Sequence, residues 1–278
     1  MALTRLDPMD KQNSISVQNV TLRIPVVRHA NRSLMADPFS LLAAFYMPGS
    51  TKRGVKTLID DVSFEVEDGW RLALIGRNGA GKTTLLRLLA GSFHPSRGRI
   101  VTRGKVQALL SLSLGLRDSA TGLENIYLQG LAMGMRMAEI GDKVSEIVDF
   151  TELGDAIHDP IQTYSTGMRA RLAFAIATSR APNILLMDEW ISTGDKFFVA
   201  KAQERVQAQV ETCKALVLAS HSRGIMSEIC THGLVLDAGR SLYLGKIDDA
   251  LKLYDEVSPV SAASPCLLYT SPSPRDRS

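Results

Sequence analysis

No run of apolar residues in this chain approaches the roughly 18 to 20 that a bilayer crossing takes. The first residues, with Asp7 and Asp10 among them, lack the profile of a secretory leader. The expectation is a protein that stays inside the cell without spanning its membrane. Cysteine is scarce: Cys213, Cys230 and Cys266 show no CxxC or metal-ligand spacing, which argues against a disulfide framework or a zinc module and fits incidental thiols of a reducing compartment. Net charge is small as well. A formal +3 over 278 residues is too little to imply a nucleic-acid partner. Six basic residues (Arg23, Arg28, Arg32, Lys52, Arg53, Lys56) nevertheless face only Asp37 between positions 23 and 56. That stretch reads either as a solvated basic loop or as a contact for anionic lipid headgroups. No internal repeat or low-complexity tract stands out. What remains is ordinary globular composition, 45% hydrophobic and 22% charged, enough for one large domain or two small ones.

Along the chain, the imperfect alternation of Ile15, Val17, Val20, Leu22 and Ile24 predicts a half-buried edge strand over 14–24. Residues 25–56, with Pro25, Pro38, Pro48, Gly49 and Gly54 around the apolar run LLAAF, predict a loop holding one helix. LIDDVSFEV alternates again, a turn follows at 67–69, and RLALIG reads as a central parallel strand. A helix closed by Gly91 comes next, then short strands near 99–102 and 105–110. From Thr121 to about Arg180 the pattern is helical. Strand signals return at ILLMD and ALVLAS, GLVLDAGRSLYLG reads as a hairpin, and IDDALKLYDE as a final helix.

Two motifs carry chemistry. Gly76 to Thr84 reads GRNGAGKTT, a GxxxxGK[ST] pattern between an apolar strand and a helix. Gly76, Gly79 and Gly81 are expected to give the backbone positive φ and close approach, so that the amides of Asn78, Gly79, Ala80 and Gly81 form an anion nest at a helix N-terminus. Lys82 would bridge the β and γ phosphates of ATP, Thr83 would offer its hydroxyl to Mg²⁺, and Thr84 would add a phosphate contact. About a hundred residues on, four apolar residues deliver Asp188 and Glu189 at a strand's C-terminal end. With the cradle present, Asp188 is expected on Mg²⁺ through water, and Glu189 on the water that attacks the γ phosphate.

Tyr164 to Met168, YSTGM, followed by RARLAFAIA, resembles the signature motif of ATP-binding-cassette (ABC) proteins, whose usual form is LSGGQ. Ser165 and Gly167 match, while Thr166 and Met168 depart. The form is similar to that of polysaccharide and teichoic-acid exporters. The resemblance implies that Ser165 and the Gly167 backbone meet the γ phosphate bound by a second copy, in a head-to-tail homodimer. Asp195 is similar to the D-loop aspartate, and His221 in LASHS resembles the switch histidine that touches the γ phosphate. Three positions depart from the family. The family's Q-loop glutamine falls near Leu112, where no amide is available; no aromatic for stacking on adenine stands at 53–57, for which Tyr46 would be a weak substitute; and Trp190 replaces the usual proline.

The resemblance implies an α/β chain with the P-loop NTPase fold of ABC ATPases: a mixed sheet core, an antiparallel β subdomain and a helical insertion. The expected division is an N-terminal strand and basic loop (1–56), the ATPase domain (57–255, helical part about 119–180), a linker (256–265) and a tail (266–278). The expected function is an ATPase at the cytoplasmic face of the cell membrane. It would hydrolyse Mg·ATP to drive lipid-linked polysaccharide export through a separate integral-membrane permease subunit, through which it contacts the membrane. A soluble ABC protein acting on ribosomes or DNA is the alternative, and a module that holds ATP without turning it over is a third. Residues Cys266 to Asp276 resemble the conceptual translation of a sequencing adapter, so CLLYTSPSPRDRS is expected to be non-native and is set aside. Whether a carbohydrate-binding domain followed about Pro265 stays open.

Overall fold

A computed structural model describes residues 13–28, 52–110, 115–189 and 196–257. Nine strands and seven helices are described, in two sheets. The smaller sheet is antiparallel, in the order β2-β1-β4, from β1 (Asn13–Arg28), β2 (Lys52–Glu67) and β4 (Arg97–Thr102). The larger has the order β5-β6-β7-β3-β8-β9. Its strands are β3 (Arg71–Ile75), β5 (Val106–Leu109), β6 (Ile184–Asp188), β7 (Ala215–Ala219), β8 (His232–Asp237) and β9 (Arg240–Lys246). All its pairings are parallel except β8 with β9, which form the hairpin read from the sequence.

Helix α1 (Lys82–Leu89) follows β3. Between β5 and β6 lie α2 (Gly122–Ala132), α3 (Met137–Thr151), two short 3₁₀ turns (Gly154–His158 and Ile161–Thr163) and α4 (Thr166–Ala177). Helices α5 (Lys196–Thr212), α6 (Arg223–Ile229) and α7 (Ile247–Val257) complete the chain.

Side chains sort by the two-residue period of the parallel strands. Leu72, Leu74, Leu186, Val217 and Leu234 enter one buried cluster with Ile15, Val17, Val62 and Phe64 of the antiparallel sheet and Leu85 and Leu86 of α1. Their neighbours Ala73, Ile75, Leu185, Met187, Leu216 and Leu218 enter a second cluster with helical residues such as Ile126, Ile140 and Phe174. Phe150, Phe174 and Phe198 lock α3, α4 and α5 together, with ring centroids 5.7–5.8 Å apart. Cys230 is buried there too, and burial pushes its thiol up to about 12, the state of an inert packing residue.

Two expectations need correction. β1 is the middle strand of its sheet and not an edge: β2 covers one side along its length and β4 the other from Ile15 to Thr21. The strands also run into the expected loop, with Ile24, Pro25 and Val26 paired to Lys56, Val55 and Gly54. Pro25 is tolerated because pairing with β4 has already ended at Thr21, so a missing N–H on that side breaks no ladder. Leu112, Tyr46, Trp190 and Asp195 lie outside the described residues.

Candidate functional site

The C-terminal ends of β3, β6, β7 and β8 open on one edge of the parallel sheet, where ligands bind in open α/β folds. A cleft of about 570 Å³ lies there, lined by Asn78, Gly79, Gly81, Lys82, Thr83 and Thr84 and, facing them, Asp188 and His221. Sequence reasoning had named all of these.

β3 ends at Ile75, and from Gly76 the loop turns into α1 through Gly79 (φ +82°) and Gly81 (φ +109°). Gly76 is not in the left-handed region, contrary to expectation. Its need for glycine is steric instead: a Cβ there would run into the carbonyl oxygen of Leu236 and reach 3.0 Å from Ala80 Cβ. Gly81 caps α1 without any side-chain acceptor, so no cap competes for the first-turn amides. Ala80 lies beneath the cleft at 3% exposure. Lys82 is 8% exposed, and its Nζ donates to the carbonyls of Gly76 (2.6 Å) and Arg77 (3.2 Å). Burial holds its pKa below the ordinary lysine value, against the opposing pull of Asp188 and Glu189.

Asp188 ends β6 in register with Ala219 of β7. Glu189 takes a left-handed backbone, φ +83°, rare for a residue with a side chain. Its N–H donates to Ala219 O at 2.7 Å, and its Oε2 accepts from Ser220 Oγ at 3.3 Å. Its Oε1 lies 3.7 Å from His221 Nε2, with the two side chains 51% and 61% exposed. Carboxylate and imidazole thus stand together in reach of solvent, as activating a water requires. Among the described residues no group of three or more His, Cys, Asp or Glu forms a metal cage. The oxygen donors Thr83 and Asp188, both in the cleft, fit a hard divalent cation completed by phosphates and water.

Ser165 and Gly167 do not line this cleft. Ser165 is the N-cap of α4, its Oγ accepting from Met168 N at 3.2 Å, and both residues are exposed. A Cβ on Gly167 would find only Ser165 Oγ, at 3.9 Å, so nothing within this copy demands a glycine. The preceding Tyr164 is buried and donates its hydroxyl to Ala156 O at 2.5 Å, fastening the loop below the exposed pair. Burial, with Asp159 adding to it, raises the phenol's pKa.

The rest of the wall was anticipated only in part. Lys56 and Thr57, within the stretch 53–57 where the family resemblance puts the adenine contact, line the cleft together with Leu58 of β2 and Ala238 of the β8–β9 turn, and no aromatic does so among the described residues. Leu58 and Ala238 were not anticipated; the packing of the two sheets brings them to the cradle.

The ABC transporter family model matches residues 59–192. The O-antigen export system ATP-binding protein RfbE of Yersinia enterocolitica is 38% identical over 231 residues, 81% of this chain and 97% of that protein. The teichoic acids export ATP-binding protein TagH of Listeria monocytogenes serotype 4b (strain F2365) is 34% identical over 215 residues, 77% of this chain and 64% of that protein. A solved ATP-binding subunit of an ABC transporter superposes with a TM-score of 0.63 at 21% identity, covering 86% of this chain and 92% of the other, a likeness of fold. Cradle, strand-end acids and overall relatedness agree: the chain belongs to the ABC transporter family, as one of its ATP-hydrolysing cassettes.

Proposed function

We propose that this chain powers export of a lipid-linked polysaccharide across the cell membrane, hydrolysing ATP between two of its own copies and passing the motion to a separate membrane permease. The observation that carries the reading is the division of the site. Cradle, Asp188 and His221 share one cleft, whereas the exposed Ser165 and Gly167 at the start of α4 stand outside it. A second copy turned head to tail supplies that helix N-terminus to the γ phosphate. The export systems named for the O-antigen and teichoic-acid relatives support the cargo class. Leu128 and Leu131 on α2 and Met137 on α3, 41%, 48% and 57% exposed around one surface cleft, support a protein partner on the helical face.

In the mechanism, Lys82 gives up the Gly76 and Arg77 carbonyls for β and γ phosphate oxygens, while the cradle amides fix the chain of phosphates. Thr83 and Asp188 would hold Mg²⁺, which when bound neutralises phosphate charge. Glu189 orients a water and takes its proton as the water oxygen bonds the γ phosphorus and the bridging oxygen leaves with ADP. His221 donates to the γ phosphate, and Asp195, outside the described residues, has the role toward the opposite copy that the family resemblance implies.

Glu189→Gln tests this. Hydrolysis should fall by about a hundredfold or more while ATP still binds, and the Mg·ATP-loaded variant should run as a dimer that Ser165→Arg abolishes. Equal rates in Glu189→Gln and wild type, or a loaded variant that stays single, would overturn the catalytic reading. For the cargo, deletion of the gene should leave lipid-linked glycan inside the cell, cured by wild type but not by Glu189→Gln. Unaltered surface glycan would remove export.

A further inference from the structure

We propose that the Ala238–Gly239 turn between β8 and β9 is a positioning element of the phosphate cradle, and that Asp60 and Arg240 hold it in place. The idea rests on the reading of Gly76–Thr84 as the nucleotide cradle and adds residues to it. β8 and β9 pair up to Asp237 and Arg240, leaving a two-residue turn with φ +45° at Ala238 and +83° at Gly239. Two left-handed residues are what so tight a hairpin takes.

Gly239 bonds at both ends. Its N–H donates to Ala80 O at 2.9 Å, and its carbonyl accepts from Asp60 N at 2.9 Å. One residue therefore ties the cradle to β2. The first bond has a consequence for phosphate binding. In a trans peptide the carbonyl and the following N–H point in opposite directions, and no cis peptide is present among the described residues. Anchoring Ala80 O on Gly239 turns the Gly81 N–H away from the turn, and Gly81 lines the cleft. Gly239 thus orients an amide that it does not touch.

Packing allows no alternative placement. A Cβ on Gly81 would stand 3.6 Å from Gly239 Cα and 2.9 Å from Ile59 Cδ1. A Cβ on Gly239 would stand 2.5 Å from Leu58 O and 3.0 Å from Leu58 C. Cradle, turn and β2 meet backbone to backbone. Arg240, directly after Gly239, closes the arrangement by donating Nε and Nη2 to Asp60 Oδ2 at 2.9 and 2.6 Å. These side chains are 70% and 29% exposed, so they can be changed without opening the core. Glu189 and His221 stand on the ends of β6 and β7 and share no bond with the turn.

The turn should accordingly govern how tightly nucleotide is held, and leave the chemical step alone. The full chain carrying Gly239→Ala, Asp60→Ala, Arg240→Ala or Arg240→Lys would be compared with wild type for ATPase KM and kcat and for nucleotide-free melting temperature. Gly239→Ala should raise KM by about tenfold with kcat within about threefold. Asp60→Ala and Arg240→Ala should raise KM by about two- to fivefold, with the nucleotide-free melting temperature unchanged and Arg240→Lys in between. Unchanged KM in the two surface variants, or a fall in kcat alone, would overturn the proposal, and these variants decide even if Gly239→Ala does not fold. Lys82→Ala keeps the two readings apart. If it binds ATP as wild type does, the cradle reading fails; if it loses binding while the turn variants keep it, only the turn proposal fails.

Discussion

Lys82 is the residue on which site and solvent conditions meet. Its ammonium is buried against two loop carbonyls and its pKa is held below the usual lysine value. Phosphate oxygens would raise that pKa again, so the bound form holds more protons than the free form between the lowered value and the raised one. ATP affinity should therefore weaken as pH climbs through this alkaline window, with uptake of a proton on binding. Calorimetry across the alkaline range in pairs of buffers of different ionisation enthalpy measures it; identical apparent enthalpies throughout would refute it. At this scale the sequence was legible where chemistry dictates residue type: Lys82, Thr83, Asp188 and His221 all reach the cleft named for them. It was opaque where geometry dictates. Gly76 is small because of Leu236, more than a hundred residues away, and neither the left-handed backbone of Glu189 nor its bond to Ala219 is contained in a linear reading.

Helix α2 shows how one buried amide organises an element. Thr121 and Glu124 form a reciprocal capping box at 3.1 and 2.8 Å. Asn125, 0% exposed, follows it. Its Oδ1 accepts from Arg117 N at 2.7 Å, and its Nδ2 donates to the carbonyls of Arg117, Ala120 and Thr121. The approach loop is thereby stitched to the helix start. The carbonyls of Arg117, Ala120 and Thr121 also accept from the N–H groups of Ala120, Ile161 and Asn125, so Asn125→Ala strands only the Arg117 N–H; it should cost about 1 to 3 kcal/mol, read as a lowered urea midpoint at unchanged slope. Asn125→Asp keeps the acceptor for Arg117 N but turns a carboxylate oxygen, with no proton to donate, onto three carbonyls at a buried site, so it should cost at least as much; a neutral alanine variant would show that water replaces the amide. The helical pattern from Thr121 onward was visible in the sequence, but the four bonds of Asn125 were not. The β1–β2 hairpin was misread for a similar reason. Alternation reports which face is buried and says nothing of how many neighbours a strand has, and Pro25 resembles a breaker until its free flank is known.

Over the whole molecule, the parallel sheet divides two hydrophobic clusters, and β3, which carries the cradle, is flanked by β7 and β8. Ligand held at the end of this strand is coupled to both layers, so binding should stabilise the folded chain as a unit. With Glu189→Gln to prevent turnover, Mg·ATP at about a hundred times its dissociation constant adds about 2.7 kcal/mol, a rise of about 5 to 10 °C in melting temperature. Scanning calorimetry should show one transition moving upward, and no movement in Lys82→Ala. A split transition would mean that the layers melt separately. The apolar runs ILLMD and ALVLAS marked these strands in the sequence, whereas the sorting of their side chains into two clusters, and the arrival of Ala238 beside the cradle, emerge only once the two sheets are stacked.

The positive φ at Glu189 sets heat tolerance against turnover. Glycine or asparagine would relax that backbone, so a population of variants selected for thermal resilience alone, with ATP consumption unmeasured, would drift away from the acid. The reaction accounts for the acid at this position, since the backbone by itself disfavours it.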